Sequence, residues 1–251
     1  MVERIPVAEI FGPTIQGEGP LAGTPCSFLR LGGCDYKCVW CDTPYAVLPD
    51  QVRTLARLNA REIVEGIHAL HAESRWLVVS GGNPAMHDLT EVVQTLRRVG
   101  WKVQVETQGT RWHDWLNLTD MLVVSPKPPS SQQKERKNQG LWDFLAQVPP
   151  NDRVKKTSLK VVVFTQEDLD YATTTHKRYP EIPFYISCGT IPRQAVNDQA
   201  TLDSLGSPDT LDTLRGRYRW LAEAVARSRE LVDVRVLPQL HYLAWGGERS
   251  R

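Results

Sequence analysis

The sequence predicts an α/β fold, a partial or irregular (β/α) barrel built on a parallel sheet. Three observations predict it. Short apolar runs alternate with amphipathic helical periods, the pattern of βα units. Seven such runs are present, about one short of a closed eight-stranded barrel. Several of them run into polar, glycine-bearing segments, where a barrel gathers its site. An open doubly wound sheet is the alternative arrangement.

The runs lie at 27–31, 76–80, 102–106, 121–125, 158–164, 184–187 and 234–237. Most are nearly continuous Val, Leu, Ile or Phe, as expected of strands covered on both faces. Between them, Asn59-Ala-Arg-Glu62 reads as a capping box opening the stripe Ile63, Val64, Ile67 and Leu70. Leu89, Val92, Val93, Leu96 and Val99 form a second stripe, stopped by Gly100. Thr165 caps a helix that runs towards Tyr179 and ends before Pro180, and Leu214, Tyr218, Leu221 and Val225 mark a long late helix. No internal repeat appears, and residues 1–251 read as one domain. Its one irregular stretch is a polar, proline-rich insertion at about 127–156. That stretch reads as an exposed insertion with a short helix around 141–148, or as a lid or partner-binding loop.

Composition narrows the function. Thirty Lys and Arg against 29 Asp and Glu leave a formal charge of +1, which argues against a protein that coats nucleic acid. No apolar run approaches the roughly 20 residues of a membrane span, and the first residues lack the apolar core of a signal peptide. Five cysteines, with three of them clustered, do not make a disulfide framework. The expectation is a cytoplasmic protein whose thiols do chemistry. Cys26 and Cys188 stand apart and read as small buried hydrophobes.

The strongest motif is Cys34-Asp-Tyr-Lys-Cys38-Val-Trp-Cys41, carried on the loop after the run 27–31. Three thiolates suit a cubane iron–sulfur cluster with one iron left open. Structural zinc is the competitor, but it normally takes four Cys or His ligands, and no nearby second pair completes the set. A c-type haem site is excluded because Asp42, not His, follows Cys41.

The triplet resembles that of radical S-adenosylmethionine (SAM) enzymes. With Glu9-Ile-Phe-Gly-Pro-Thr-Ile-Gln-Gly-Glu-Gly19 and Phe28-Leu-Arg30 before it and Asp42-Thr43 after it, the chain is similar to the 7-carboxy-7-deazaguanine synthase family. The detailed match covers about the first 45 residues, with scattered motifs beyond. The resemblance implies a radical SAM barrel and a lyase of queuosine and other deazapurine biosynthesis. Such an enzyme contracts 6-carboxy-5,6,7,8-tetrahydropterin to 7-carboxy-7-deazaguanine and releases ammonia, with SAM regenerated. It implies a [4Fe–4S] cluster on Cys34, Cys38 and Cys41, a Mg²⁺ contact at Thr43, an electron donor such as flavodoxin or ferredoxin, and a homodimer. No nucleic acid or membrane partner is implied.

The same resemblance distributes the remaining roles. Ile15, Gln16, Gly17 and Glu18 would lie against the pterin, although Gln16-Gly-Glu-Gly19 also reads as a simple glycine-rich turn. Arg30, charged within an apolar run, either forms a buried ion pair or grips the substrate carboxylate. Trp40 and Asp42 would line the SAM adenosine, with core packing the plainer role for Trp40. Ser80 would face the substrate. Asn83, after Gly82, stands where the superfamily carries glutamate; the charge is lost, leaving backbone carbonyls around Gly82 as acceptors. Glu106 would bond SAM or else balance Lys127, and Ser125-Pro126-Lys127 resembles the ribose and carboxylate contacts. Ser187-Cys-Gly-Thr190 would lie near the adenine. His241 would bind substrate, its alternative being a satisfied structural histidine. No catalytic side chain is expected beyond the cofactor site. The other readings are a different radical SAM enzyme, such as a glycyl-radical activase, and a zinc-stabilised binding module.

Overall fold

The computed structural model describes residues 3–133, 138–192, 198–206, 208–246 and 248–250, with the backbone alone at 138 and 139. Among them nine strands form one sheet: β1 (Ile5–Ile15), β2 (Pro25–Leu31), β3 (Ala56–Leu58), β4 (Trp76–Gly81), β5 (Lys102–Thr107), β6 (Met121–Val124), β7 (Thr157–Val163), β8 (Phe184–Cys188) and β9 (Arg235–Leu237). Their order is β3-β1-β2-β4-β5-β6-β7-β8-β9. Every pair from β2 to β9 is parallel, and these are the seven strands expected from the sequence. They follow chain order without a reversal, so the doubly wound alternative, which needs a switch point, is not adopted. The sheet stays open, as a partial barrel does.

Parallel crossovers of one hand bring the connecting helices to one face. There Ile63 and Ile67 of the helix Ala60–His68, Val92 and Leu96 of Thr90–Arg98, and Leu221 of Leu211–Arg227 share a core with Leu77, Val79, Val103 and Val105. The intervening residues of the strands point the other way, and they include Arg30, Ser80, Glu106 and Lys160. What reads as a continuous apolar run is therefore an alternating strand whose second face carries these polar groups among apolar ones such as Phe28 and Val78.

The local signals behave as the sequence suggests. Asn59 and Glu62 close the expected capping box, Thr165 closes another with Asp168, and Gly100 turns left-handed (φ +86°) after the second helix. β1 and β3 are the strands that the sequence hides. β1 carries Pro6, Gly12 and Pro13, which read as breaks, and it pairs antiparallel with β2 through two register shifts. β3 spans three residues, too few to show a period.

The insertion at 127–156 holds the helices Asn138–Gln147 and Pro150–Lys155. Leu141, Phe144, Leu145 and Val148 enter the main core, so this part is not an exposed excursion. Residues 134–137 of its polar run lie outside the described residues. Cys26 and Cys188 are fully buried, and burial pushes both thiols up to about 12. Among the described residues no helix is long and apolar enough to cross a membrane.

Candidate active site

The loop leaving β2 carries Cys34, Cys38 and Cys41 to the wall of one cavity at the C-terminal ends of the parallel strands. Backbone bonds pin it there: Gly33 N–H donates to Ala46 O at 2.8 Å, and Asn83 N–H donates to Gly33 O at 2.7 Å. Cys34 Sγ accepts from Tyr36 N–H and from Gln108 Nε2, both at 3.4 Å. Such N–H to sulfur bonds suit the thiolate ligands of an iron–sulfur cluster. Burial raises the Cys34 thiol and lifts Cys41 to about 12, so each needs a metal's charge to become a thiolate. Among the described residues no three Cys, His, Asp or Glu side chains close on a single ion. Cys34, Cys38 and Cys41 all line the one cavity, and three thiols match the three ligated corners of a cubane with one corner open.

Of the residues expected at SAM, Trp40, Asp42, Gly82, Glu106, Ser125 and Lys127 line the cavity. Thr43 lines it too, with Oγ1 3.7 Å from Cys41 Sγ. Trp40 is also a packing residue: its ring tilts against Phe164 and its indole N–H donates to Ser130 Oγ at 3.0 Å. Asn83 and Pro126 are buried but do not line the cavity. Asn83 Nδ2 donates to Asp35 Oδ1 at 3.0 Å and to Thr110 Oγ1 at 3.2 Å, while its Oδ1 accepts from Thr107 Oγ1 at 2.8 Å. Its amide ties the cysteine loop to the end of β5. Lys127 turns back onto Ser125, donating to its carbonyl at 2.8 Å. The counter-ion of Glu106 is Lys160 at 3.1 Å, not Lys127.

Ile15, Gln16, Gly17, Glu18, Arg30, Ser80 and His241 line the same cavity. Arg30 Nε donates to Glu9 at 2.9 Å, so the ion-pair reading of Arg30 is realised. Among the described residues its two Nη groups have no hydrogen-bond partner, and the residue also faces the cavity. The Ser80 hydroxyl is buried with no partner among the described residues. Thr190 lines the cavity and donates to Gln239, whereas Ser187 is buried and does not line it.

Glu18 is the most constrained of these groups. Burial alone would raise its carboxyl, but Lys160, His241 and hydrogen bonds from Lys160 and Gln239 hold it at about 2. Burial opposes the charge on Lys160 as well, yet Glu106 and Glu18 raise it above the usual lysine value. Gln16 Nε2 donates to Glu106 at 2.7 Å, and Gln16 Oε1 accepts from Glu18 N–H at 3.3 Å. The wall therefore presents anionic and carbonyl acceptors.

Sequence reasoning misses Lys160, Gln239 and Gln108. Lys160 carries the signal that singles out Arg30, one cation inside an apolar strand. Gln239 stands two residues before His241 in the same strand exit. Gln108 shows no local signal, because only the fold brings it to Cys34.

No family model matches the chain. It is 41% identical over 252 residues, the whole of both chains, to the 7-carboxy-7-deazaguanine synthase of Bacillus subtilis (strain 168). To the protein of that name from Bacillus cereus it is 38% identical over 99% of this chain and all of the other. Among solved structures, QueE from Escherichia coli superposes with a TM-score of 0.61 at 22% identity, over 94% of each chain. Streptococcus suis SuiB bound to S-adenosylmethionine gives a TM-score of 0.53 at 12% identity, over 84% of this chain and 50% of the other. These two likenesses concern the fold.

Proposed function

The chain belongs to the 7-carboxy-7-deazaguanine synthase family, and we propose that its cavity contracts 6-carboxy-5,6,7,8-tetrahydropterin to 7-carboxy-7-deazaguanine with release of ammonia. It is a radical SAM carbon–nitrogen lyase of queuosine biosynthesis. Cys34, Cys38 and Cys41 would hold the [4Fe–4S] cluster. Bound there, cluster and SAM together supply reversible hydrogen-atom abstraction from carbon, so that SAM is used catalytically.

The chain's own residues bind and orient the substrate. The Nη pair of Arg30 matches a carboxylate in bidentate geometry. Glu18 and the Gln16 carbonyl accept from the donor-rich edge of a 2-amino-4-oxo ring. Ser80 and His241 supply further polar contacts. Trp40, Asp42, Gly82, Glu106, Ser125 and Lys127 line the SAM side, with Asn83 bracing the cysteine loop behind them. The Thr43 hydroxyl would be one ligand for Mg²⁺, an ion that often relies on substrate oxygens and water for the rest of its shell. The enzyme works in the cytoplasm as a homodimer and takes electrons from a flavodoxin- or ferredoxin-type donor.

One observation carries this reading: a three-thiol loop, an arginine with an open edge and a wall of acceptors meet in a single cavity. Identity over the full chain sets aside the zinc module and the glycyl-radical activase. The test is anaerobic incubation of reduced, iron-reconstituted protein with SAM, Mg²⁺ and the pterin. A deazapurine of the expected mass is predicted. Cleavage of SAM with no deazapurine would overturn the substrate assignment.

A further inference from the structure

Lys160 sits on β7 with its side chain 5% exposed, and none of the binding roles above uses it. Its ammonium lies between two carboxylates from distant parts of the chain, Glu18 after β1 and Glu106 on β5. Each carboxylate in turn engages an amide: Gln239 donates to Glu18, and Gln16 Nε2 donates to Glu106. This second bond matters for orientation. With Nε2 donating to Glu106 and Oε1 accepting from Glu18 N–H, the Gln16 amide is fixed in orientation, and the second lone pair of its carbonyl oxygen is left to accept.

We propose that Lys160 is a positioning residue of the pterin pocket: it bridges Glu18 and Glu106 so that the Glu18 carboxylate and, through Glu106, the Gln16 carbonyl are held in place as acceptors. Such a wall selects a flat ligand edge rich in N–H donors, the guanidine-like edge of a 2-amino-4-oxo heterocycle. The inference rests on reading the cavity as a pterin site and adds the element that fixes its polarity. The bridge itself holds two carboxylates to one ammonium, with His241 the further group beside Glu18, and the remaining carboxylate lone pairs suit a donor edge.

Removing the ammonium reverses the balance. Glu18 then keeps burial, which raises its carboxyl, against His241 on the helix Leu240–Trp245 and the amide of Gln239. Glu106 keeps the amides of Gln16 and Gln104 but loses its counter-ion. A protonated carboxyl offers a hydrogen where the ligand needs an acceptor, so binding weakens at neutral pH and recovers as pH rises.

The experiment is anaerobic calorimetric titration of the pterin into the unreduced holoenzyme with SAM present, where no turnover occurs. Wild type and Lys160→Met are compared between about pH 6 and 8.5. The wild-type Kd is expected to stay flat, whereas Lys160→Met binds about tenfold or more weakly at the acid end and recovers towards the alkaline end. Lys160→Arg keeps the charge and is expected to bind within a few-fold of wild type with a flat profile. It serves as the folding-competent variant should Lys160→Met fail to fold. A Lys160→Met protein with wild-type Kd at every pH would overturn the inference, as would Lys160→Arg with a Kd that falls as pH rises. Wild-type protein that binds no pterin would instead overturn the reading of the cavity itself.

Discussion

Glu9 accepts the Nε hydrogen of Arg30 at 2.9 Å, and that bond decides which edge of the guanidinium is left for a ligand. The Glu9 side chain is only 8% exposed and also accepts from the Tyr45 hydroxyl at 2.9 Å, Arg249 Nε at 3.2 Å and Ser250 Oγ at 3.0 Å. Arg30 meanwhile rests over the Phe11 ring, 5.7 Å from its centroid. With one side anchored and one face stacked, the Nη edge is the part that remains to grip a carboxylate.

Arg30→Lys keeps the charge but loses the fork. It is expected to raise KM for the carboxypterin by about 10–100-fold, the loss of one to two charge-assisted bonds. A pterin lacking the 6-carboxylate should show almost no change. Glu9→Gln is expected to move KM in the same direction by less. Equal losses on both pterins would mean that Arg30 is structural.

Gly17 lies against His241: a Cβ at this position would fall 2.1 Å from His241 Nδ1, and Gly17 O accepts from Leu240 N–H at 3.1 Å. Gly17→Ala must therefore displace the imidazole. Steady-state kinetics should show a higher KM for the pterin, while the cluster's visible absorption stays at the wild-type level. Loss of iron in this variant would contradict the separation of the two ends of the cavity.

A second glycine acts at the other end. A Cβ on Gly82 would stand 1.9 Å from Gly33 O and 3.0 Å from Cys34 N, both backbone atoms of the cysteine loop. Gly82→Ala is expected to cost about 1–3 kcal/mol in stability, in the range of overpacking. Iron content per chain after reconstitution should fall with it. Full iron loading would show that the loop tolerates the shift.

How much of this is legible in the sequence follows from what each feature depends on. The parallel strands announce themselves by apolar runs, and the caps at Asn59 and Thr165 by local spacing, because each is decided within a few residues. β1 does not, since its prolines and glycine read as breaks and only pairing with β2 and β3 makes it a strand. The cysteine loop and Arg30 stand out by composition. The exchange of partners between Glu106, Lys127 and Lys160 is invisible there, because strand order and not chain distance brings Glu106 and Lys160 together. Asn83 shows the same limit: its position beside Gly82 suggests a cofactor contact, yet its amide is spent on Asp35, Thr110 and Thr107.

The Glu18 carboxyl also predicts a pH dependence of stability. Held at about 2 in the fold, it binds a proton less readily than in the unfolded chain. The stabilisation is present above the ordinary glutamate value and is lost as pH falls from about 4.5 towards 2. Thermal melts across that window should show Glu18→Gln with a shallower loss of Tm than wild type. Identical slopes would contradict the ionised Glu18–Lys160 pair.

The most direct test follows nitrogen and SAM together under oxygen-free conditions: ammonia and deazapurine formed per SAM lost. Equal amounts of ammonia and deazapurine, both in molar excess over the SAM lost, are predicted. One SAM destroyed per turnover, or ammonia without a contracted ring, would contradict a site that holds the carboxypterin beside the three thiols.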